Sequence, residues 1–340
     1  MATRKRGGKL PLGLALQGGG AHGAFTWGVL DRLLDEPGIE VGRISGASAG
    51  ALNGAALATG WAINGAAGAR EHLARLWQKV AEAGSLMSFL MLPLRKPGMG
   101  VWDDAMPLLS PYQSNPMGME PLRGVLRQVA DLDQLRSAAA PQLFVNAVNV
   151  HTGHSRVFGP DELTIDVLLA SACAPLMFQA VQIGGESYWD GTYAGNPMLW
   201  PLYEDQLDTD IFLIELTPLR RDETPTTAKN ILNRINEIAS IIGLVSEVRA
   251  LDRLNRLVRG ADIRLHVLGL DDEPMPGLST EPSIKRTVAR ELFEQLRQAG
   301  HARCDQWLAS HGQRLGREAS VDIGARYLAP YTQSVVAGHG

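Results

Sequence analysis

Apolar and polar positions follow two rhythms along this chain. Residues 10–17 are almost wholly apolar and run into three glycines, the pattern of a buried strand ending in a turn, and residues 24–35 carry apolar positions at helical steps. The pair recurs as a strand at 39–45 followed by helices at 49–59 and 69–83. Strands alternating with helices predict an α/β fold with a mostly parallel central sheet. Residues 84–120 break the rhythm: SLMSFLMLPL opens a stretch rich in Pro, Gly and Met with no clear period. Such an insertion reads equally as an apolar lid or as a connection packed on the core.

Regular patterning resumes with a helix near 120–130, strands at 142–150 and 154–158 around a turn at 151–153, a helix at 163–172 and strand-like residues at 180–189. DIFLIELTP, 210–218, is the most strand-like run. A long helical pattern at 226–259 places Ile231, Ile235, Ile238, Ile242, Val245, Val248 and Leu251 three or four residues apart, a stripe expected to serve as core or as a subunit contact. A strand at 262–270 and a helix at 283–310 complete the pattern. The expected organisation is a single domain over 10–330, with the insertion at 84–120 and a C-terminal helical part at 226–310. A flexible segment at 1–9 and a tail at 331–340 flank it.

Composition narrows the functional classes. The 340 residues are 45% hydrophobic and 20% charged, which suits a sizeable globular core, and the formal net charge of −4 offers nucleic acid no basic field. Cys173 and Cys304 make neither a disulfide framework nor a zinc pattern and are expected as buried thiols in a reducing compartment. The basic start MATRKRGGK precedes an apolar run that is short for a signal peptide and ends in a glycine loop, and no stretch reaches the length of a membrane span. A cytoplasmic protein is expected, with membrane contact peripheral at most.

Gly18, Gly20 and Gly23 spell G-x-G-x-x-G after the first strand, which invites a dinucleotide site. That site needs a carboxylate at the end of the second strand for the ribose hydroxyls, and Asp35, Glu36 and Glu40 lie too early. The second strand ends instead in Gly46-Ala47-Ser48-Ala49-Gly50. A G-x-S-x-G between strand and helix projects the serine hydroxyl from a sharp turn, so Ser48 is a candidate nucleophile. Ester cleavage by serine builds charge on the carbonyl oxygen, which gives the Gly18, Gly19 and Gly20 amides a role as oxyanion donors. The base is less determined. None of the eight histidines, His22, His151 and His154 among them, is excluded, while Asp190, in the turn sequence GESYWDGTYAGNP, is the most pointed candidate.

GGGAHG at 18–23, GASAG at 46–50 and Asp190-Gly191, with SACAPLMFQAV at 171–181 before them, together resemble the patatin-like phospholipases. The resemblance implies a three-layer α/β/α sandwich and a Ser48–Asp190 dyad without histidine. It also implies an oxyanion hole from Gly18, Gly19 and Gly20, supported by His22, Gly23, Gly46, Gly50 and Gly191, and no metal or cofactor. The implied reaction is hydrolysis of carboxylic esters of glycerolipids through an acyl-serine. The family often has Lys or Arg where this chain has His22, and usually Gly or Ala where it has Thr192, an awkward residue if positive φ is needed there. Thr192 therefore motivates an alternative, a lipid- or acyl-binding protein with vestigial catalysis. An esterase or thioesterase on other acyl esters is the second alternative. The H-x-x-H of His151 and His154 lacks a third ligand, and Asp103, Asp104, Asp131 and Asp133 are too sparse for calcium.

Overall fold

The computed structural model describes residues 9–91, 110–115, 117–272 and 289–329. The strands are β1 (Leu10–Leu16), β2 (Ile39–Gly46), β3 (Gln142–Asn149), β4 (Ser155–Phe158), β5 (Val181–Ile183), β6 (Glu186–Asp190), β7 (Asp208–Glu215) and β8 (Asp262–Gly269). The principal helices are α1 (Gly23–Leu33), α2 (Ala49–Met91), α3 (Glu120–Val129), α4 (Ile165–Ser171), α5 (Ala228–Leu257) and α6 (Arg290–His311). The strands form one sheet in the order β5-β6-β3-β2-β1-β7-β8, with β4 also on β3. The five strands from β3 to β8 in that order run parallel to one another, and β4, β5 and β6 are antiparallel to their neighbours.

Alternate residues of the central strands feed two cores. Leu12, Leu14, Leu16, Phe212 and Ile214 pack under α1, α2, α3, α4 and α6, whereas Ala15, Ile211, Leu213, Leu265 and Val267 pack under α5 and Tyr327. Burial on both faces is why IFLI, 211–214, is continuously apolar rather than alternating. Two helical layers therefore enclose a mixed, mostly parallel sheet, the expected α/β/α sandwich.

Several boundaries move. The helices expected at 49–59 and 69–83 belong to a single run, Ala49–Met91, broken at Asn64 and at Gly65, whose φ of 55° suits glycine. Residues 84–91 continue that helix instead of opening an irregular insertion, and Pro111–Ser114 forms a capped helical turn. The remainder of the expected insertion, 92–109, lies outside the described residues, as do 283–288 of the expected last helix. The strand-like 180–189 is a tight antiparallel pair, β5 and β6. The apolar stripe of α5 divides: Val245, Val248 and Leu251 are core, while Ile231, Ile235, Ile238 and Ile242 are exposed.

Asp210 ties the far end of the sheet together. Its carboxylate accepts Arg264 Nη2 at 2.8 Å, His266 Nε2 at 2.9 Å and the Gly316 N–H at 2.7 Å, joining β7, β8 and the chain after α6. Burial alone would raise its pKa, but these donors outweigh it and hold the carboxyl at about 2. A depressed folded-state pKa stabilises above the ordinary value and ceases to do so as pH falls through the folded one. Asp210→Asn is therefore expected to cost about 2 kcal/mol at pH 7, with the gap to wild type closing between about pH 4 and pH 2 in denaturant titrations.

Candidate active site

Val145 of β3 pairs with both Gly46 and Phe158, and Ala147 with both Arg156 and Asp190. A strand has two edges, so β4 takes one and β2 and β6 share the other, meeting head to head. The register leaves the end of β2 two β3 positions from Asp190, the last residue of β6.

Beyond Gly46 the chain turns through Ala47 and Ser48 into α2. Ser48 has φ of 51° and, among the described residues, is the one non-glycine with positive φ. That conformation costs on the order of 1 kcal/mol and marks a residue held in place by its surroundings. The holders are identifiable: the Ser48 N–H donates to Ser171 Oγ at 3.0 Å from the end of α4, and the helix folds back tightly beneath the turn. A Cβ on Gly50 would lie 2.0 Å from the Leu16 carbonyl oxygen, and one on Gly46 would lie 2.7 Å from the Ala51 nitrogen. Glycine at both positions is a requirement of close approach.

Asp190 is 5% exposed. Its N–H donates to the Cys173 carbonyl at 2.9 Å, and its Oδ1 accepts the Thr192 N–H at 2.9 Å. The Ser48 and Thr192 side chains lie close enough to favour its charged form. Burial raises its pKa to about 6, against the opposing pull of these donors. Asn146 of β3 secures the turn by donating from Nδ2 to the Gly191 and Gly195 carbonyls at 2.9 and 2.8 Å. Gly191 sits so close to β3 that a Cβ would lie 2.2 Å from the Asn146 carbonyl oxygen.

The glycine loop leaves β1 beside this pair. A Cβ on Gly18 would meet Ser48 Cβ at 2.7 Å and Thr192 Cγ2 at 2.5 Å, so the loop touches both turns. Here one expectation is corrected. The Gly18 N–H donates to Asn196 Oδ1 at 2.6 Å, and Asn196 Nδ2 returns a bond to the Gly18 carbonyl at 3.3 Å. That amide is engaged in joining the glycine loop to the segment after Asp190 and is not available to an oxyanion. The Gly19 and Gly20 N–H groups have no acceptor among the described residues. Gly20, with φ of 57°, opens the single helical turn Gly20–His22 that leads into α1. Gln17 anchors the loop by accepting the Leu216 and Thr217 N–H groups at 2.8 and 3.0 Å.

Among the described residues no histidine is bonded to Ser48 or Asp190. His22 is wholly buried in its helical turn, and His151 is exposed and bonded to Glu186 Oε2 at 2.9 Å. Among the described residues no three His, Cys, Asp or Glu side chains are grouped to hold a metal.

The family model for patatin-like phospholipases matches residues 14–203, more than half of the chain, from within β1 to beyond Asn196. The chain belongs to this family. No curated protein matches the sequence. Among solved structures, the crystal structure of VipD from Legionella pneumophila is similar at 15% identity and a TM-score of 0.41, over 94% of this chain and 73% of that one. Patatin-like membership supports lipid acyl hydrolysis as the general activity. No described helix is long and apolar enough to cross a membrane.

Within the patatin-like frame, Thr192 proves unstrained. Its φ is not positive, and its N–H holds the carboxylate of Asp190. Ser171 and Asn196 lie inside the quoted motifs, which assign them no role, and motif reading passes over Asn146. Asn146 carried a signal, a polar side chain in the apolar run QLFVNAV, but what it bonds lies 45 and 49 residues away.

A raised folded-state pKa on an acid means that the fold tolerates the neutral form better, so ionisation destabilises the protein as pH rises from the ordinary 3.8 past about 6. Asp190→Asn removes that ionisation. The variant is expected to exceed wild type in stability by about 1–3 kcal/mol at pH 8 and to match it near pH 4, read from unfolding curves at the two pH values.

Proposed function

We propose that the protein is a serine acyl hydrolase acting on the carboxylic esters of glycerolipids, with Ser48 as nucleophile and Asp190 as the sole base. One observation carries the reading: the strained Ser48 stands beside a buried carboxylate whose pKa is raised to about 6 and whose charged form the serine side chain favours. An ordinary aspartate is a weak base for an alcohol, and burial strengthens it by disfavouring the charge it must otherwise keep.

In this mechanism Ser48 Oγ attacks the ester carbonyl as Asp190 takes its proton. The oxyanion forms opposite the Gly19 and Gly20 amides, at the start of a helical turn where the backbone dipoles favour negative charge. Collapse expels the alcohol, which leaves with the proton from Asp190, and the acyl chain stays on Ser48. Asp190 then deprotonates a water that attacks the acyl-enzyme, releasing the fatty acid and restoring the serine. Thr192 supports catalysis over a purely binding role, since its amide orients the base. Esterase or thioesterase action on other acyl groups would use the same machinery, and a substrate panel separates the readings.

Fluorophosphonate labelling with intact-mass detection, run beside hydrolysis of a short-chain ester, tests the assignment. Wild type is expected to label stoichiometrically at Ser48, while Ser48→Ala and Asp190→Asn stay folded and lose at least ~10³-fold in turnover. In wild type kcat/KM should fall tenfold per pH unit below about pH 6, as the free base is protonated. A folded wild type that neither labels nor turns over any ester would refute the proposal.

A further inference from the structure

The first half of α5 is inside out. Ile231, Ile235, Ile238 and Ile242 are 43, 55, 42 and 57% exposed, whereas Asn233, Glu237 and Ser240 on the opposite face are each under 10%. Every exposed residue from Ile231 to Ala250 is uncharged: the four isoleucines, then Ser246 and Ala250. The isoleucines sit at i, i+4, i+7 and i+11, one ridge about 16 Å long. Four β-branched side chains in line on a water-facing helix add nothing to helix propensity and expose contiguous apolar surface, the mark of an interaction site.

The ridge borders the candidate active site. On its inward face Ser240 Oγ donates to the Thr192 carbonyl at 3.2 Å, and Gly243 lies so close to Ala194 that a Cβ would be 2.8 Å from its carbonyl oxygen. On another side of the same turn, Cys173 accepts the Asp190 N–H, and three and four residues beyond it Leu176 and Met177 are 49 and 40% exposed. Two apolar groups from distant parts of the sequence thus flank the segment that carries the base.

We propose that this ridge, with Leu176 and Met177, is the surface by which the protein seats on a lipid aggregate, its isoleucines entering the acyl layer so that an ester reaches Ser48 from the same side. The inference rests on the acyl-hydrolase reading above, because an exposed apolar face on the helix that braces the Asp190 turn suits a substrate presented in an acyl layer. The absence of charge on the ridge specifies the attraction. Binding is hydrophobic, so it needs no anionic lipid and survives salt, unlike adsorption through a basic patch.

The test is sedimentation of the full chain with phosphatidylcholine vesicles at about 0.1 and 1 M salt, for wild type and for a double variant, Ile235→Gln with Ile242→Gln. Thermal melts, light scattering and hydrolysis of a water-soluble short-chain ester run in parallel. The expected result is wild-type binding at both salt levels and a loss of about tenfold or more in the variant, with its fold and its soluble-ester turnover unchanged. Equal vesicle binding by the two proteins, or wild-type binding only with anionic lipid at low salt, would overturn the proposal. So would a wild-type dimer that the variant dissociates without change in vesicle binding, which would make the ridge a contact between copies. Ridge-dependent binding without any ester turnover would leave the surface standing and reject the hydrolase reading instead.

Discussion

β3 has three partners and two edges, and the geometry of the site follows from how they are shared. With β4 on one edge, β2 and the antiparallel β6 must divide the other, so their C-terminal ends face each other along a common neighbour. Ser48 and Asp190 come from the points where these two strands run out. Their approach is set by sheet register, which is far stiffer than loop length. A slip of one residue in β6 would turn Asp190 to the other face of the sheet and dissolve the pair. The close packing at Gly46, Gly50 and Gly191 serves this arrangement, because three chain segments converge on a space where a single added carbon on any of them would meet backbone.

Two buried aspartates show what the fold does with a carboxylate. Asp190 and Asp210 are 5 and 1% exposed, yet burial raises the first to about 6 while the second is held at about 2. The difference lies in their partners. Asp210 faces Arg264 and His266, so its charge is answered by a cation and the group acts as a cross-link between β7 and β8. Asp190 faces hydroxyls and a backbone N–H, which orient it without neutralising it. Burial without a cation destabilises the ionised fold and gives the carboxylate proton affinity near neutral pH. The same residue type is held ionised in one place and given a raised proton affinity in the other through its neighbours alone.

The sequence was most legible where local geometry restricts residue choice. GGGAHG, GASAG and Asp190-Gly191 stand out because each turn excludes side chains, and the order of strands and helices follows from periodicity within short windows. What it concealed was long-range pairing. Nothing near Gly18 announces that its amide is taken by Asn196, 178 residues on, and nothing near Ser48 points to Ser171 as its anchor. Thr192 looked awkward for want of its φ. The break at Asn64 and Gly65 lay between two patterns that each read correctly as helix, while their union in one run depends on backbone angles that periodicity does not report.

The α5 stripe illustrates a deeper limit, since a helical period identifies a face without saying which way it turns. From Ile231 to Ile242 the apolar residues keep to one face, but each step of three to Val245, Val248 and Leu251 turns the stripe by about 60° around the axis, so it is solvent-facing up to Ile242 and core from Val245. The reason lies on the opposite side. Glu237 is 3% exposed between Arg221 and Arg234, each at 3.0 Å, and Ser240 is bonded to Thr192. Rolling the helix over to bury four half-exposed isoleucines would gain about 1 kcal/mol apiece. It would also part Glu237 from both arginines, and breaking a buried ion pair costs ~3–5 kcal/mol. The two sums are comparable, so the ion pairs and the tie to the Asp190 turn are enough to hold the isoleucines outward. The orientation of this face is thus tied to the same segment that carries Asp190.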